Sequence, residues 1–312
     1  MRSNRLISLT GGLGNQLFQY SAALYQSDGF KLYLVTSLGS PRLSKSGRTE
    51  IYSYQIHEPE LAASAGWLTR KVTGYLLRQG LYKRGLEKLR IFRAATLLAG
   101  RIILSLHFRE KINIIIAKGV GYSDLVHSRG SQLLIGYFQT YRWASSPQVL
   151  EKLYKLDLRV DSRKFQEYRD LAIVEEPLVV HIRLGDYKNE DDFGIPTRKY
   201  YNTAIQRQLE SKKYGSIWLF SDEMEEAQQL LPKDLNLKIR LIPEVEESAA
   251  ATLQVMRLGH GYVIANSTFS WWGAFLSFRG DSLVIAPNPW FRNSPEPEQL
   301  IPHHWIRCDA GW

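Results

Sequence analysis

The sequence predicts an α/β protein made of two Rossmann-like domains facing a cleft. Three observations carry that expectation. The chain opens as strand, glycine loop, helix and strand. Its second half alternates short apolar runs with helical segments, which implies crossover units and a parallel sheet. Four motif-like blocks fall directly after strand candidates, where open parallel sheets bind ligands. With 312 residues there is room for two medium domains, each with its own core.

Taken in order, residues 6–9 read as a short buried strand, 10–15 as a tight loop, 16–27 as a helix and 31–36 as the next strand. Residues 60–110 read as mostly helical, with Gly74, Gly80, Gly85 and Gly100 as breaks. Strand candidates follow at 111–117 and 133–138. In the second half the strands are expected at 178–183, 216–221, 238–242, 262–265 and 282–286. Helices are expected between them at 198–211, 223–231, 247–257 and 269–278. The domain boundary is expected within 145–177, giving an N-terminal domain of 1–160 and a C-terminal domain of 161–312. No repeat of solenoid period is present.

Composition excludes several classes. Apolar residues at 44% and charged residues at 23% fit a globular protein. The single cysteine, Cys308, excludes an internal disulfide framework and a Cys-rich zinc site. The formal charge of +9 is local, because residues 66–111 hold eleven Lys/Arg and two acids. The remaining twenty-nine basic residues balance twenty-nine acidic ones. No nucleic acid partner is expected, since that role wants basic residues over the working surface and a recognisable module. Only residues 6–9 are apolar ahead of Thr10-Gly-Gly, too few for a secretory signal. The most apolar stretch, 94–108, carries Arg101 and is shorter than the ~20 residues a bilayer span needs. A cytoplasmic location follows as the expectation.

Each block after a strand has a chemical reading and a plainer one. In Gly11-Gly-Leu-Gly-Asn-Gln16, glycines and a helix N-terminus could meet an anion, or form a tight turn and nothing more. Leu17 breaks the dinucleotide fingerprint, which disfavours an NAD-dependent oxidoreductase. His181 and Arg183 share a strand face, and the Arg183 guanidinium could fork onto a phosphate or pair with Asp186. Asp222 could accept from a base or ribose, or with Ser221 cap the following helix. Ser267 and Thr268 open a helix where a diphosphate would sit, or form a cap above core aromatics Trp271 and Trp272. The run Glu190-Asp-Asp192 reads as a solvated loop, and no metal site is expected.

Together and in this order, the blocks resemble the α-1,2-fucosyltransferase family of inverting glycosyltransferases. The resemblance rests on Gly11-Gly-Leu-Gly-Asn-Gln-Leu-Phe-Gln-Tyr20, His181-Ile-Arg-Leu-Gly-Asp-Tyr187 and Asn266-Ser-Thr-Phe-Ser-Trp-Trp-Gly-Ala-Phe-Leu276. Gly136-Tyr-Phe-Gln139 and Ala286-Pro-Asn-Pro-Trp290 also look familial. Leu184 departs from the pattern, standing where the family usually has a second arginine.

The resemblance implies a GT-B fold, GDP-β-L-fucose as donor and inverting transfer to the 2-hydroxyl of a terminal galactoside. It implies no metal and no other cofactor. His181 and Asp222 would contact guanosine, and Arg183 the β-phosphate. Ser267, Thr268 and Phe269 would line the diphosphate region, with Ser221 and Asn266 beside them. Gly12, Gly14, Asn15 and Gln16 would face the cleft from the N-terminal half. Arg183 and Asp186 are the catalytic candidates, the arginine neutralising the leaving GDP and the aspartate serving as base or as an orienting partner. Two other readings stand beside this one: a glycosyltransferase using another sugar nucleotide, and a non-catalytic glycan-binding protein on the same scaffold.

The basic segment 66–111 mixes its charges with Trp67, Leu76, Leu77, Leu81, Tyr82, Leu86, Leu89, Ile91 and Phe92. That composition suits a helix on an anionic membrane surface, and equally an insertion packed on the N-terminal domain with a solvated basic face. The first reading would place a bacterial enzyme peripherally on the inner face of the cytoplasmic membrane, acting on a lipid-linked glycan.

Overall fold

The computed structural model describes residues 4–27, 29–61, 71, 74–75, 90–124, 130–159 and 162–312. Of the basic segment, residues 66–70, 72–73 and 76–89, with the expected breaks Gly80 and Gly85, lie outside the described residues. The chain forms two compact units. The first comprises Met1–Asp157 with Pro297–Leu300, and the second Leu158–Glu296 with Ile301–Trp312. A short piece of the C-terminal sequence thus belongs to the N-terminal unit, which no composition signal announces.

The first unit holds a parallel five-stranded sheet in the order β3-β2-β1-β5-β4. Its strands are β1 (Asn4–Ser8), β2 (Lys31–Val35), β3 (Glu60–Leu61), β4 (Ile112–Ile116) and β5 (Ser131–Ile135). Helix α1 (Leu13–Gln26) makes the first crossover and is buried along most of its length. Helix α2 (Arg90–Phe108) packs Leu104 and Phe108 against Leu6, Val35, Ile112 and Leu133. Gly100, expected as a break, lies buried inside α2, and the helix runs through it. Helices α3 (Tyr141–Ala144) and α4 (Pro147–Tyr154) follow β5, the latter started by a proline at its first position. Because β1 sits between β2 and β5, the strand order reverses there, and the loops leaving β1 and β5 share one sheet edge.

The second unit begins with helix α5 (Arg163–Glu175), where Ser162 Oγ accepts the Phe165 N–H at 2.9 Å. There follow β6 (Leu178–Ile182), α6 (Arg198–Ser211), β7 (Ser216–Ser221), α7 (Met224–Gln229) and β8 (Lys238–Ile242). The chain continues through α8 (Ala249–Met256), β9 (Gly261–Val263), α9 (Thr268–Phe275), β10 (Leu283–Asn288) and β11 (Ile306–Asp309). All six strands pair in parallel, in the order β11-β10-β9-β6-β7-β8. The order reverses between β6 and β9, so this sheet has its switch point where the His181 and Asn266 blocks leave it.

Buried and partly buried polar side chains fasten this unit. Glu175 accepts from Trp218 Nε1 at 2.8 Å, Ser216 Oγ at 2.9 Å and Arg240 Nε at 3.0 Å. These donors, Arg240 foremost, hold its carboxyl down to about 2. Gln208 is fully buried on α6, where its amide nitrogen donates to the Tyr262 and Leu283 carbonyls at 2.8 and 3.0 Å. Its amide oxygen accepts from the Tyr214 hydroxyl at 2.6 Å. Replacing Gln208 by leucine strands these buried groups, so urea unfolding of Gln208→Leu should show a loss of about 2–4 kcal/mol. A loss below about 0.5 kcal/mol would contradict the role given to this side chain.

Candidate functional site

Strand β6 delivers its motif to the edge of the second sheet. Arg183 is partly buried just beyond β6, and its guanidinium is gripped from two sides. Asp186 Oδ1 accepts from Nε at 3.0 Å and lies 2.8 Å from Nη2. Asp222 Oδ2 lies 3.1 Å from Nη1. Asp222 follows β7, and the pairing of Ile182 with Ser221 places residues 183 and 222 next in line. The other oxygen of Asp222 accepts the Leu184 N–H at 3.0 Å. A Cβ at Gly185 would lie 2.4 Å from Asp222 Oδ2, so glycine there is a condition of this approach. The Leu184 side chain is buried in the core cluster that contains Tyr200 and Tyr201. The position where the family usually has a second arginine is thus part of the core in this chain.

The loop between β9 and α9 meets the same edge. Asn266 is buried, and its amide nitrogen donates to the Phe193 and Gly194 carbonyls at 2.9 and 3.0 Å. Tyr187 O–H donates to the Asn266 carbonyl at 3.1 Å, lacing the β6 loop to the β9 loop. The Tyr187 ring packs on Phe193 at 5.0 Å, and Phe193 on Phe291 at 5.3 Å. Ser267 caps α9, its hydroxyl accepting the Phe269 N–H at 3.3 Å. Thr268 and Phe269 are partly exposed on the first turn, and the Phe269 ring lies 6.1 Å from that of His181. Two buried atoms at this edge, His181 Nδ1 and Asn266 Oδ1, have no partner among the described residues. Trp271 and Trp272 are fully buried edge to face at 4.8 Å, so they are packing residues.

Three expectations change in detail. Asp222, expected on a nucleoside, is engaged by Arg183 and the Leu184 amide. Ser221 accepts the Glu223 N–H at 3.0 Å. In the first unit the α1 N-terminus, expected to offer free N–H groups to an anion, is already met by a carboxylate. Glu50 is nearly buried, and its Oε2 accepts the Leu13 N–H at 2.6 Å. Gln16, expected on the ligand side, is fully buried. Its amide donates to the Gly11 and Arg42 carbonyls at 2.8 and 3.1 Å and accepts the Ile51 N–H at 2.9 Å. Gly14 is buried as well, while Gly12 and Asn15 are partly exposed. Asn15 Oδ1 accepts from Gln139 Nε2 at 3.0 Å, bringing the first-unit blocks together. Gly11 has φ of +74°, and a Cβ there would lie 2.5 Å from Asn15 Nδ2. No sequence signal marked Glu50, which reaches its target across 37 positions.

The profile described as glycosyl transferase family 11 matches residues 137–307, more than half of the chain. The chain belongs to glycosyltransferase family 11. An α-1,2-colitosyltransferase of Escherichia coli is 25% identical over 323 residues, covering 96% of this chain and 97% of that protein. The O-antigen biosynthesis glycosyltransferase WbnK of Escherichia coli is 25% identical over 318 residues, covering 96% and 98%. Among solved structures, fucosyltransferase NodZ from Bradyrhizobium aligns with a TM-score of 0.49 at 12% identity, over 88% of this chain and 94% of that one. POFUT1 in complex with GDP aligns with a TM-score of 0.49 at 12% identity, over 91% and 98%.

In this family 11 chain, burial and then the nearby Arg183 charge hold His181 down to about 3. The ring is therefore neutral at physiological pH. Burial also keeps the Tyr187 phenol protonated, as its hydrogen bond to the Asn266 carbonyl requires. An unfolded histidine takes up a proton near 6.5, whereas the folded His181 refuses it until about 3. Its contribution is thus fully present above about pH 6.5 and is lost as pH falls toward 3. The slope is at most about 1.4 kcal/mol per pH unit. Urea unfolding between pH 4 and pH 8 should show a shallower acid limb for His181→Gln than for the parent. Parallel limbs would contradict the assignment. His260, held down to about 4 chiefly by burial, remains in both proteins and contributes in the same direction.

Proposed function

We propose that this glycosyltransferase transfers L-fucose from GDP-β-L-fucose to the 2-hydroxyl of a terminal galactoside, giving an α-1,2 linkage with inversion. The observation that carries the reading is the cation at the second unit's switch point. Arg183 stands there oriented by Asp186 and Asp222, close in the chain to the buried His181 and laced through Tyr187 to the α9 N-terminus. A guanidinium and the backbone N–H groups of a helix terminus suit a diphosphate.

In the reaction, the bond from the sugar anomeric carbon to the β-phosphate oxygen breaks, and GDP leaves with the electron pair. The acceptor oxygen forms its new bond on the opposite face and gives up its proton. Negative charge grows on the β-phosphate, and Arg183 with the first turn of α9 supplies the stabilisation. We assign no metal to this step, because those donors provide the positive charge. One oxygen of Asp186 is committed to Arg183, and the residue is more than half exposed. Its other oxygen is the candidate acceptor of the proton. Ser267, Thr268 and Phe269 flank the diphosphate in this reading, and His181 the nucleoside.

A second donor reading has its own support. One 25%-identical relative is a colitosyltransferase, and colitose is fucose without its 3-hydroxyl. A site that hydrogen-bonds that hydroxyl would reject the deoxy sugar by roughly 10⁴-fold, whereas an apolar one would not. Incubation with GDP-fucose or GDP-colitose and β-galactoside acceptors, with EDTA present and linkage read by NMR, separates these readings. An α-1,2-fucosylated product is expected; a colitosylated product alone would select the second donor. Arg183→Ala should lose about 10²–10³ in turnover, roughly 2.7–4 kcal/mol of transition-state stabilisation. Turnover of that variant at the parent rate would overturn the mechanism.

A further inference from the structure

Among the described residues, one apolar face of helix α2 has no cover. Leu104 and Phe108 pack into the first unit, whereas Leu98, Ile102 and Leu106 are 60%, 52% and 74% exposed. Spaced four apart, these three make one stripe on the face turned away from Leu104 and Phe108. Arg101 is partly exposed along the helix, and Arg109 and Lys111 are exposed just beyond its end. No acidic residue occurs from Arg90 to Arg109. The one acid between Arg90 and Lys111, Glu110, is directed to the β1 and β5 strand starts, accepting from Asn4 Nδ2 at 3.0 Å and Ser131 Oγ at 2.9 Å. No described helix is long and apolar enough to cross a membrane.

We propose that this face of α2 docks on the surface of an anionic lipid bilayer. The helix lies in the interface plane, with Leu98, Ile102 and Leu106 at the acyl boundary and the arginines and lysine among the headgroups. Charge selects this occupant over a second copy of the chain. Residues 90–111 carry five basic side chains and one acidic one, so two copies meeting through α2 would oppose like charges. An anionic leaflet complements the same excess. The inference concerns the first unit alone and holds whichever sugar the enzyme transfers.

The test is co-sedimentation of the full chain with vesicles of phosphatidylglycerol and phosphatidylcholine, against vesicles of phosphatidylcholine alone. Binding to the anionic vesicles at low salt is expected, weakened at least about tenfold without phosphatidylglycerol or at about 500 mM salt. The triple variant Leu98→Ser, Ile102→Ser, Leu106→Ser should bind at least about tenfold more weakly, with its unfolding temperature kept. Leu106→Ser alone, at the most exposed of the three positions, should give a smaller loss in the same direction and serves if the triple variant misfolds. Absence of binding at low salt, or undiminished binding by the serine variants, would overturn the proposal. So would sedimentation of the parent as a dimer that the serine variants dissociate, which would assign the face to a second copy.

Discussion

The grip of Asp186 and Asp222 on Arg183 is the interaction around which the second unit's site is arranged. Partly exposed ion pairs of this kind add little to stability, so their consequence is geometric. Nε donates to Asp186, and the two terminal nitrogens lie within ion-pair distance of Asp186 and Asp222, which fixes the plane of the group. The arrangement needs β6 beside β7 in the observed register, so that the residues following the two strands meet. It needs Gly185 without a side chain and Leu184 anchored in the core. Tyr187 then fixes the neighbouring β9 loop through the Asn266 carbonyl.

The first unit uses the same architecture differently. Its sheet also reverses order beside the motif-bearing strand, and a helix also starts just after a glycine loop. There the protein supplies its own anion, with Glu50 on the Leu13 amide and Gln16 stitched to three backbone groups. The loop is closed and built from within. Asn15 remains as its partly exposed amide, supported by the buried Gln139. The two switch points are therefore unequal: one holds a cation steadied by carboxylates, the other a carboxylate at a helix start.

Where burial is complete, the fold was legible in the residues. Strand β6 is apolar but for His181 and β7 is apolar from Ile217 to Phe220, and their positions agree with the sequence expectation to within a residue. Helix α5 escaped notice because its exposed side chains dominate and Ala172 is its one buried residue. Strand β11 mixes Ile306, Arg307, Cys308 and Asp309 and has no apolar run to signal it. The blocks after β6 and β9, with His181, Arg183, Asp186, Asn266 and Ser267, leave neighbouring strands at one sheet edge. Partnerships between distant segments were not legible, because Glu50 with Leu13 and Asp222 with Leu184 are set by tertiary approach. Nor does helical periodicity tell which apolar face of α2 is packed, so the bare stripe of Leu98, Ile102 and Leu106 emerges from the structure alone.

Calorimetric titration with GDP and with GMP tests most directly whether Arg183 receives a β-phosphate. The two ligands differ by that one phosphoryl group, so the ratio of their affinities isolates it. The parent protein should bind GDP at least about tenfold more tightly than GMP, and Arg183→Ala should nearly abolish the difference while keeping GMP affinity. Equal affinities in the parent, or a preference for GDP that survives in Arg183→Ala, would contradict the account.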